Sequence, residues 1–288
     1  MKVLITGGCG FLGSNIAAKL LKMGKELIII DNLSRKGSEK NLQWLKSLVS
    51  PNSFYFYKIE VNDKESLEKI FKTHSSIDFV CHLAGQVAMT KSINDPLRDF
   101  KTNAIGTFNI LEAIRNIQPE CFIAYSSTNK VYGDLENIKK KETETRFFLP
   151  NFPNGLDESI PLDFSTPYGC SKGAADQYIK DYSKVYGLNT VVFRHSSIYG
   201  GRQFTSIDQG WVGWFIKQAI IQKKAIKNHS SIDPFTISGS GKQVRDLLHA
   251  DDLVELYLKA YENRRFLKGE VFNIGGGIEN SMSLLELF

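Results

Sequence analysis

Tyr168 and Lys172 stand four positions apart in the run Tyr168-Gly169-Cys170-Ser171-Lys172. On a helix that spacing puts both side chains on one face, one turn apart. A free tyrosine ionises near ~10, too high for a base at neutral pH. An ammonium or another positive charge beside it favours the phenolate. Such a pair can take the proton of an alcohol, although a solvated helix face gives the same pattern by chance. Upstream lies Tyr125-Ser126-Ser127-Thr128-Asn129-Lys130-Val131-Tyr132-Gly133. Its hydroxyls follow an apolar run that reads as a strand, and ligands bind at the C-terminal ends of strands in open α/β sheets. Thr128 there can hydrogen-bond the substrate oxygen that the tyrosine deprotonates. Ser127 is as easily a loop cap.

An alcohol that loses its hydroxyl proton needs an acceptor for its hydride. The first residues supply a place for one. Lys2-Val3-Leu4-Ile5-Thr6 reads as a buried strand, and Gly7-Gly8-Cys9-Gly10-Phe11-Leu12-Gly13 follows it and opens a helix. Gly7, Gly10 and Gly13 fit a variant of the dinucleotide fingerprint: one glycine for the tight turn, one for close approach of a pyrophosphate, one for helix packing. The helix N-terminus favours the phosphates. The next strand ends in Asp31, whose carboxylate accepts from a ribose diol and repels a 2′-phosphate. NAD is therefore expected ahead of NADP, with Arg35 and Lys36 acting against that preference. Lys172 can also hold the nicotinamide ribose. At the end of the fourth expected strand, His82-Leu83-Ala84-Gly85 supplies small residues along the cofactor path, and His82 itself reads as structural.

The elements that must position these groups alternate. Strands are expected near 2–6, 26–31, 54–59, 78–83, 121–126 and 189–195, with helices near 11–23, 38–49, 63–73, 95–117 and 168–186. That order implies an α/β fold with a doubly wound, parallel Rossmann-type sheet. Residues 133–167 read as a long irregular stretch able to cover a substrate. Residues 1–195 are expected to form the NAD-binding domain. Residues 196–288 then form a smaller C-terminal substrate lobe, with 197–240 as its irregular core and 243–275 packing back on the first domain. Ser283 and Glu286 make a capping box that opens a helix at the very end, so further C-terminal residues are expected. The net charge of +5 is modest and no dense basic block occurs, which argues against nucleic acid. The four cysteines form no C-x-x-C pair and read as reduced thiols, not as a disulfide or metal framework. No apolar stretch is long enough to span a membrane. With the first strand beginning at residue 2, a cytoplasmic location is expected.

Over essentially all 288 residues the chain resembles the extended short-chain dehydrogenase/reductase proteins, specifically the NAD-dependent nucleotide-sugar epimerases. The stretches that carry the resemblance are Gly85 to Thr90, Ser126 to Gly133, Asn154 to Ser159, Ser171 to Tyr178, Phe193 to Phe204, Asp208 to Phe215 and Gln243 to Asp246. The resemblance implies Thr128, Tyr168 and Lys172 as the catalytic trio. For the cofactor it implies Gly7, Gly10, Phe11, Leu12 and Gly13 at the phosphates. Asp31, Asn32, Ser34 and Arg35 fall to the adenosine half, with Glu60 near the adenine. Val61, Leu83, Ala84, Gly85, Asn103, Ser126 and His195 line the rest of the path. Gln86, Ser197, Arg202, Gln209, Trp211 and Arg245 are implied for the substrate, with Arg245 at its phosphates, and no metal is implied. Ser197 suits inversion at C2 of the sugar better than at C4. Related dehydratases need an acidic pair after the threonine, where Asn129-Lys130 stands here. The helices near 95–117 and 168–186 are those through which relatives form dimers or tetramers. A non-catalytic NAD-binding protein is the remaining alternative, and the intact trio counts against it.

Overall fold

The computed structural model describes every residue except 50–52, 207, 208, 232, 233, 236 and 238. Its first half alternates β1 (Lys2–Thr6), α1 (Phe11–Lys22), β2 (Glu26–Ile30), α2 (Ser38–Ser47), β3 (Phe54–Tyr57), α3 (Lys64–Thr73) and β4 (Phe79–His82). There follow α4 (Met89–Asn94), α5 (Pro96–Phe100), a π-turn (Lys101–Ile105), α6 (Gly106–Ile117) and β5 (Phe122–Thr128). The small strands β6 (Lys141–Glu142) and β7 (Phe147–Phe148) come next, then α7 (Thr166–Tyr186) and β8 (Thr190–His195). The remainder is β9 (Ser197–Tyr199), α8 (Trp211–Lys227), β10 (Val244–His249), α9 (Ala250–Glu262), β11 (Glu270–Ile274), β12 (Ser281–Ser283) and α10 (Leu284–Leu287).

The large sheet has seven strands in the order β11-β8-β5-β4-β1-β2-β3, all parallel. The order reverses between β1 and β4, which opens a crevice at their carboxyl ends, the usual ligand position in such sheets. Both faces are covered, so the strands read as continuous apolar runs whose alternate residues enter opposite cores. Val3, Ile5, Leu27, Ile29, Phe79 and Cys81 pack on one side, with Ile16 and Leu20 of α1 and Leu253 and Tyr257 of α9. Leu4, Ile28, Ile30, Val80 and Ile123 pack on the other, with Phe71 of α3, Ile110 and Ile114 of α6 and Ile179 of α7. A second sheet, β12-β10-β9, stands beyond the end of β8. From the later chain, α9 packs on the first face and β11 pairs with β8 as the edge strand.

Three stretches depart from the sequence reading. The helix expected over 95–117 runs without a gap from Pro96 to Ile117, but residues 101–105 are an unforeseen π-turn. Asp95 caps a new start by accepting from the Arg98 amide at 3.1 Å, and Pro96 fills its first turn. The π-turn then widens the helix at Asn103, whose side chain is held by the Gln86 backbone. The stretch 133–167 is not wholly irregular, since β6 and β7 form a hairpin within it. The region 197–240 contains the 17-residue helix α8, which buries only Val212. With apolar residues nearly all round and four lysines among them, its sequence has no clean helical stripe, which is why periodicity missed it. Among the described residues no helix is long and apolar enough to cross a membrane.

Candidate active site

The crevice is built first by glycine. Gly7 turns the chain out of β1 at φ 68°. A Cβ on Gly7 would sit 2.8 Å from the Ala84 amide nitrogen, and one on Gly13 would sit 2.3 Å from the Gly7 carbonyl oxygen. Only hydrogen fits at either place, so β4's loop and the first turn of α1 close tightly around the turn. Gly10 caps α1 without a side-chain acceptor, leaving the first-turn amides of Phe11, Leu12 and Gly13 to an anion. Thr6 Oγ1 accepts from the Leu83 and Ala84 amides, both at 3.2 Å, and also contacts His82 Nδ1 at 2.6 Å. Thr107 Oγ1 donates to the Asn103 carbonyl, so it must accept from His82 Nε2. His82 is thus neutral, fully satisfied and structural, with its pKa pushed down to about 3 by burial.

At the far end of the crevice the Asp31 carboxylate accepts from the Cys9 amide at 2.9 Å and the Leu33 amide at 2.8 Å. Each oxygen keeps a free lone pair for a ribose hydroxyl. Burial raises its pKa, and these amide bonds oppose the rise. Asn32 donates to Glu60 at 2.9 Å and caps the Ser34 amide at 2.9 Å. Val61 packs against Gly106, whose Cβ would meet its side chain at 2.6 Å. Arg35 Nη2 is buried with no hydrogen-bond partner, and burial lowers the pKa of its guanidinium, which Tyr168 and Asp31 raise and Arg98 lowers. The glycine cradle, the uncapped helix start, Asp31 and the unpartnered Nη2 together suit a dinucleotide.

Thr128, Tyr168 and Lys172 converge on the carboxyl end of β5, and all three are buried. Burial raises the pKa of the Tyr168 phenol; a hydrogen bond with Thr128 lowers it, Asp99 raises it and Arg35 lowers it. The Lys172 ammonium donates to the Ser126 carbonyl and lies 4.2 Å from the centre of the Tyr125 ring. Burial pushes its own pKa down to about 7, against the pull of Asp176 and Asp99. His195, beside Thr128 in register, contacts Ser126 Oγ through Nδ1 at 3.2 Å. It is held neutral by burial, with its pKa lowered to about 3, and its buried Nε2 has no partner.

Two polar networks hold this arrangement, and sequence reasoning missed both. Under Tyr168, Ser171 Oγ donates to Asp99, which also accepts from Gln86 Nε2 at 3.1 Å. Asn103 Nδ2 donates to Ser171 Oγ at 3.0 Å and its Oδ1 approaches Gly85. Behind β5, Asp176 pairs with Arg194 through two 2.9 Å bonds and accepts from Ser127 Oγ at 2.7 Å. Arg194 also donates to the Tyr132 hydroxyl, which donates in turn to Asn273. The signal was weak: Asp99 and Asp176 look like ordinary helix-surface acids until the helices are packed.

The expected substrate residues are dispersed. Gln86 is engaged within its own loop, donating to the Ala88 carbonyl and accepting from the Ala88 amide. Arg202 lies against α2, its guanidinium 3.8 Å from the centre of the Trp44 ring. Ser197 Oγ accepts from Trp211 Nε1 at 3.2 Å, which joins β9 to the start of α8. Gln209 bridges to Ser206, and Asp208 lies outside the described residues. Arg245 donates to the Val244 carbonyl and to Gln243 and is lowered in pKa by burial. Among the described residues no cluster suits a metal ion.

Comparison with known proteins agrees with this geometry. The CDP-paratose 2-epimerase of Salmonella typhi is 57% identical over 288 residues, covering all of this chain and 82% of that protein. The X-ray structure of Pal from Bacillus thuringiensis superimposes with a TM-score of 0.81 at 28% identity, covering 100% of this chain and 81% of the other. The UDP-glucose 4-epimerase of Thermus thermophilus in complex with NAD gives a TM-score of 0.73 at 28% identity, again with 100% and 81% coverage. Residues 3–275 match one family along almost their whole course, and the chain therefore belongs to the NAD dependent epimerase/dehydratase family.

Proposed function

We propose that the protein inverts C2 of a nucleotide sugar, taking CDP-paratose to CDP-tyvelose through a transient 2-keto sugar. The observation that carries the choice of sugar is the 57% identity, over the full chain, to a CDP-paratose 2-epimerase. The chemistry itself is supported by the convergence of Thr128, Tyr168 and Lys172 beside the glycine cradle. Ser197 fits the C2 reading. The resemblance to a UDP-glucose 4-epimerase favours a second reading, inversion at C4 of a UDP-sugar.

NAD, held by these residues, would supply a reversible acceptor for the hydride of the sugar carbon. The chain does the rest. Thr128 positions the hydroxyl, and Tyr168 takes its proton and later returns it. A buried phenol with a raised pKa is a poor base alone, so it acts only with positive charge beside it, to which Arg35 contributes. Lys172, anchored on the Ser126 carbonyl, orients the ribose side of the crevice. We assign Gly7, Gly10, Phe11, Leu12 and Gly13 to the phosphates. Asp31, Asn32, Ser34, Glu60 and Val61 take the adenosine half, and Leu83 to Gly85, Asn103, Ser126 and His195 the remainder. Ser197, Gln209, Trp211 and Arg245 are assigned to the substrate; Gln86 acts by holding its loop. Residues 1–195 with 243–275 would form the NAD-binding unit and 196–288 the substrate lobe.

A homo-oligomer is also proposed. The outer faces of α4 to α7 expose Ile93, Leu97, Phe100, Phe108, Tyr178 and Tyr186, an apolar area of the kind that a second copy covers. The proposed setting is the cytoplasm. Incubation with CDP- and UDP-sugars and NMR of the products tests the function. A tyvelose product supports it; inversion at C4 alone, or no turnover of any sugar nucleotide, overturns it.

A further inference from the structure

The segment that follows β9 does not stay with the small sheet. It crosses to α1 and α2, and Arg202 takes φ 66° on the way, a left-handed conformation uncommon outside glycine. The Gly201 carbonyl accepts from Asn15 Nδ2 of α1 at 2.9 Å, and the Arg202 carbonyl accepts from Asn41 Nδ2 of α2 at 3.4 Å. The Arg202 guanidinium covers the Trp44 ring at 3.8 Å. Phe204 sits so close to Gly37 that a Cβ there would fall 2.1 Å from its ring, and Lys40 Nζ lies 5.8 Å from the centre of the same ring. The next residue is fixed to α8, where a Cβ on Gly213 would meet Thr205 Cγ2 at 2.6 Å. Residues 201–204 are therefore a strap held at both ends.

Three of its anchors lead to segments assigned to the cofactor. Asn15 also donates to the Phe11 carbonyl at 2.8 Å, in the first turn of α1. Asn41 Nδ2 also donates to the Cys9 carbonyl of the glycine turn at 3.1 Å. Gly37 ends the loop that begins at Asp31 and caps α2. That loop cannot swing away from the crevice while Phe204 rests on Gly37. The same stretch carries Arg35 Nη2, Ser38 Oγ and Asn41 Oδ1, each buried with no hydrogen-bond partner among the described residues. A buried polar group left unpaired costs about 1–3 kcal/mol. Two of these groups can donate and one accepts, which suits the phosphate oxygens and ribose hydroxyls of a dinucleotide.

We infer that residues 201–204 form a clasp that retains NAD by holding the adenosine loop shut, and that Arg202 and Phe204 are cofactor-positioning residues, not substrate ligands. This rests on the assignment of Asp31 and the glycine turn to NAD. The proposed reaction returns the hydride to the sugar it came from, so a cofactor that left between the two transfers would strand the keto sugar. A clasp that slows release meets that need.

The test is the release of NAD from the loaded protein. Bound radiolabelled NAD is chased with an excess of unlabelled NAD and followed by rapid gel filtration, alongside thermal unfolding of the loaded and NAD-free protein and calorimetry with CDP. Both side chains are exposed, so their loss should leave the fold intact. Arg202→Ala/Phe204→Ala should release NAD at least ten-fold faster than wild type. Its melting temperature should fall more in the loaded than in the NAD-free protein. Arg202→Lys/Phe204→Tyr should restore slow release. If the double alanine variant does not fold, Phe204→Ala replaces it with the same expectation. Release within three-fold of wild type overturns the inference, and so does an equal fall in both melting temperatures, which marks ordinary packing. A ten-fold loss of CDP affinity with release at the wild-type rate overturns it too and returns Arg202 to the substrate. A wild-type protein that holds no NAD overturns the cofactor assignment with it.

Discussion

Replacing Asp176 by Asn removes the charge on which the wall behind β5 is built. The carboxylate is fully buried and Arg194 is 3% exposed. Asp176 accepts two guanidinium bonds at 2.9 Å and one from Ser127 at 2.7 Å. Asn keeps the volume and one acceptor but presents an N–H to the guanidinium. Arg194 then remains buried with the Tyr132 hydroxyl as its other partner. Breaking one side of such a buried pair costs about 3–5 kcal/mol. Against a total stability of about 5–15 kcal/mol that is a large share. At about 2–4 °C per kcal/mol for chains near this size, the melting temperature should fall by roughly 6–20 °C. Urea unfolding followed by circular dichroism measures it directly. The double variant Asp176→Asn/Arg194→Met removes the orphaned guanidinium and should be more stable than Asp176→Asn alone. A loss below about 1 kcal/mol in the single variant, or a double variant less stable than the single, would refute the reasoning.

Other consequences follow from the same structure. Gly13→Ala places a methyl 2.3 Å from the Gly7 carbonyl oxygen, so the turn must move; NAD affinity by fluorescence titration should drop at least ten-fold, and an unchanged affinity contradicts the cradle. Asp31 should make the protein prefer NAD to NADP at least ten-fold by calorimetry; equal or tighter NADP binding would mean that Arg35 and Lys36 outweigh it. Lys172 has a pKa lowered from 10.5 to about 7 by burial, so between those values the unfolded chain holds the extra proton. Stability should therefore rise with pH across that window, by at most about 1.4 kcal/mol per pH unit from this group. Urea titrations at either end should show a shallower slope in Lys172→Met, and an identical slope rules the assignment out.

Much of the fold was legible because β1, β2, β4, β5 and β8 are buried on both faces, and only apolar β-formers suit such positions. Glycines that follow a strand and open a helix have few structural meanings, so the cradle was legible too. What escaped depended on contacts between distant residues. The helix start at Asp95-Pro96 was legible as a cap and a first-turn proline, but the π-turn at Asn103 goes with a contact to the Gln86 backbone, 17 positions earlier, which holds its side chain. The Tyr168–Lys172 spacing places both residues on one face, yet it says nothing of burial. Burial is what raises the phenol's pKa, and the ammonium's bond to the Ser126 carbonyl is a contact across 46 positions. Nor does local sequence show that Arg202 stacks on Trp44.

The central claim is that Tyr168 moves only the hydroxyl proton while the carbon-bound hydrogen stays with the sugar. Tracing that hydrogen tests it most directly. CDP-paratose deuterated at C2, converted by the NAD-loaded enzyme, should give CDP-tyvelose that keeps its deuterium at C2. Unlabelled substrate in heavy water should take up none there, and Tyr168→Phe should yield no product in either experiment. Solvent deuterium at C2 would mean deprotonation at carbon, and would contradict the account.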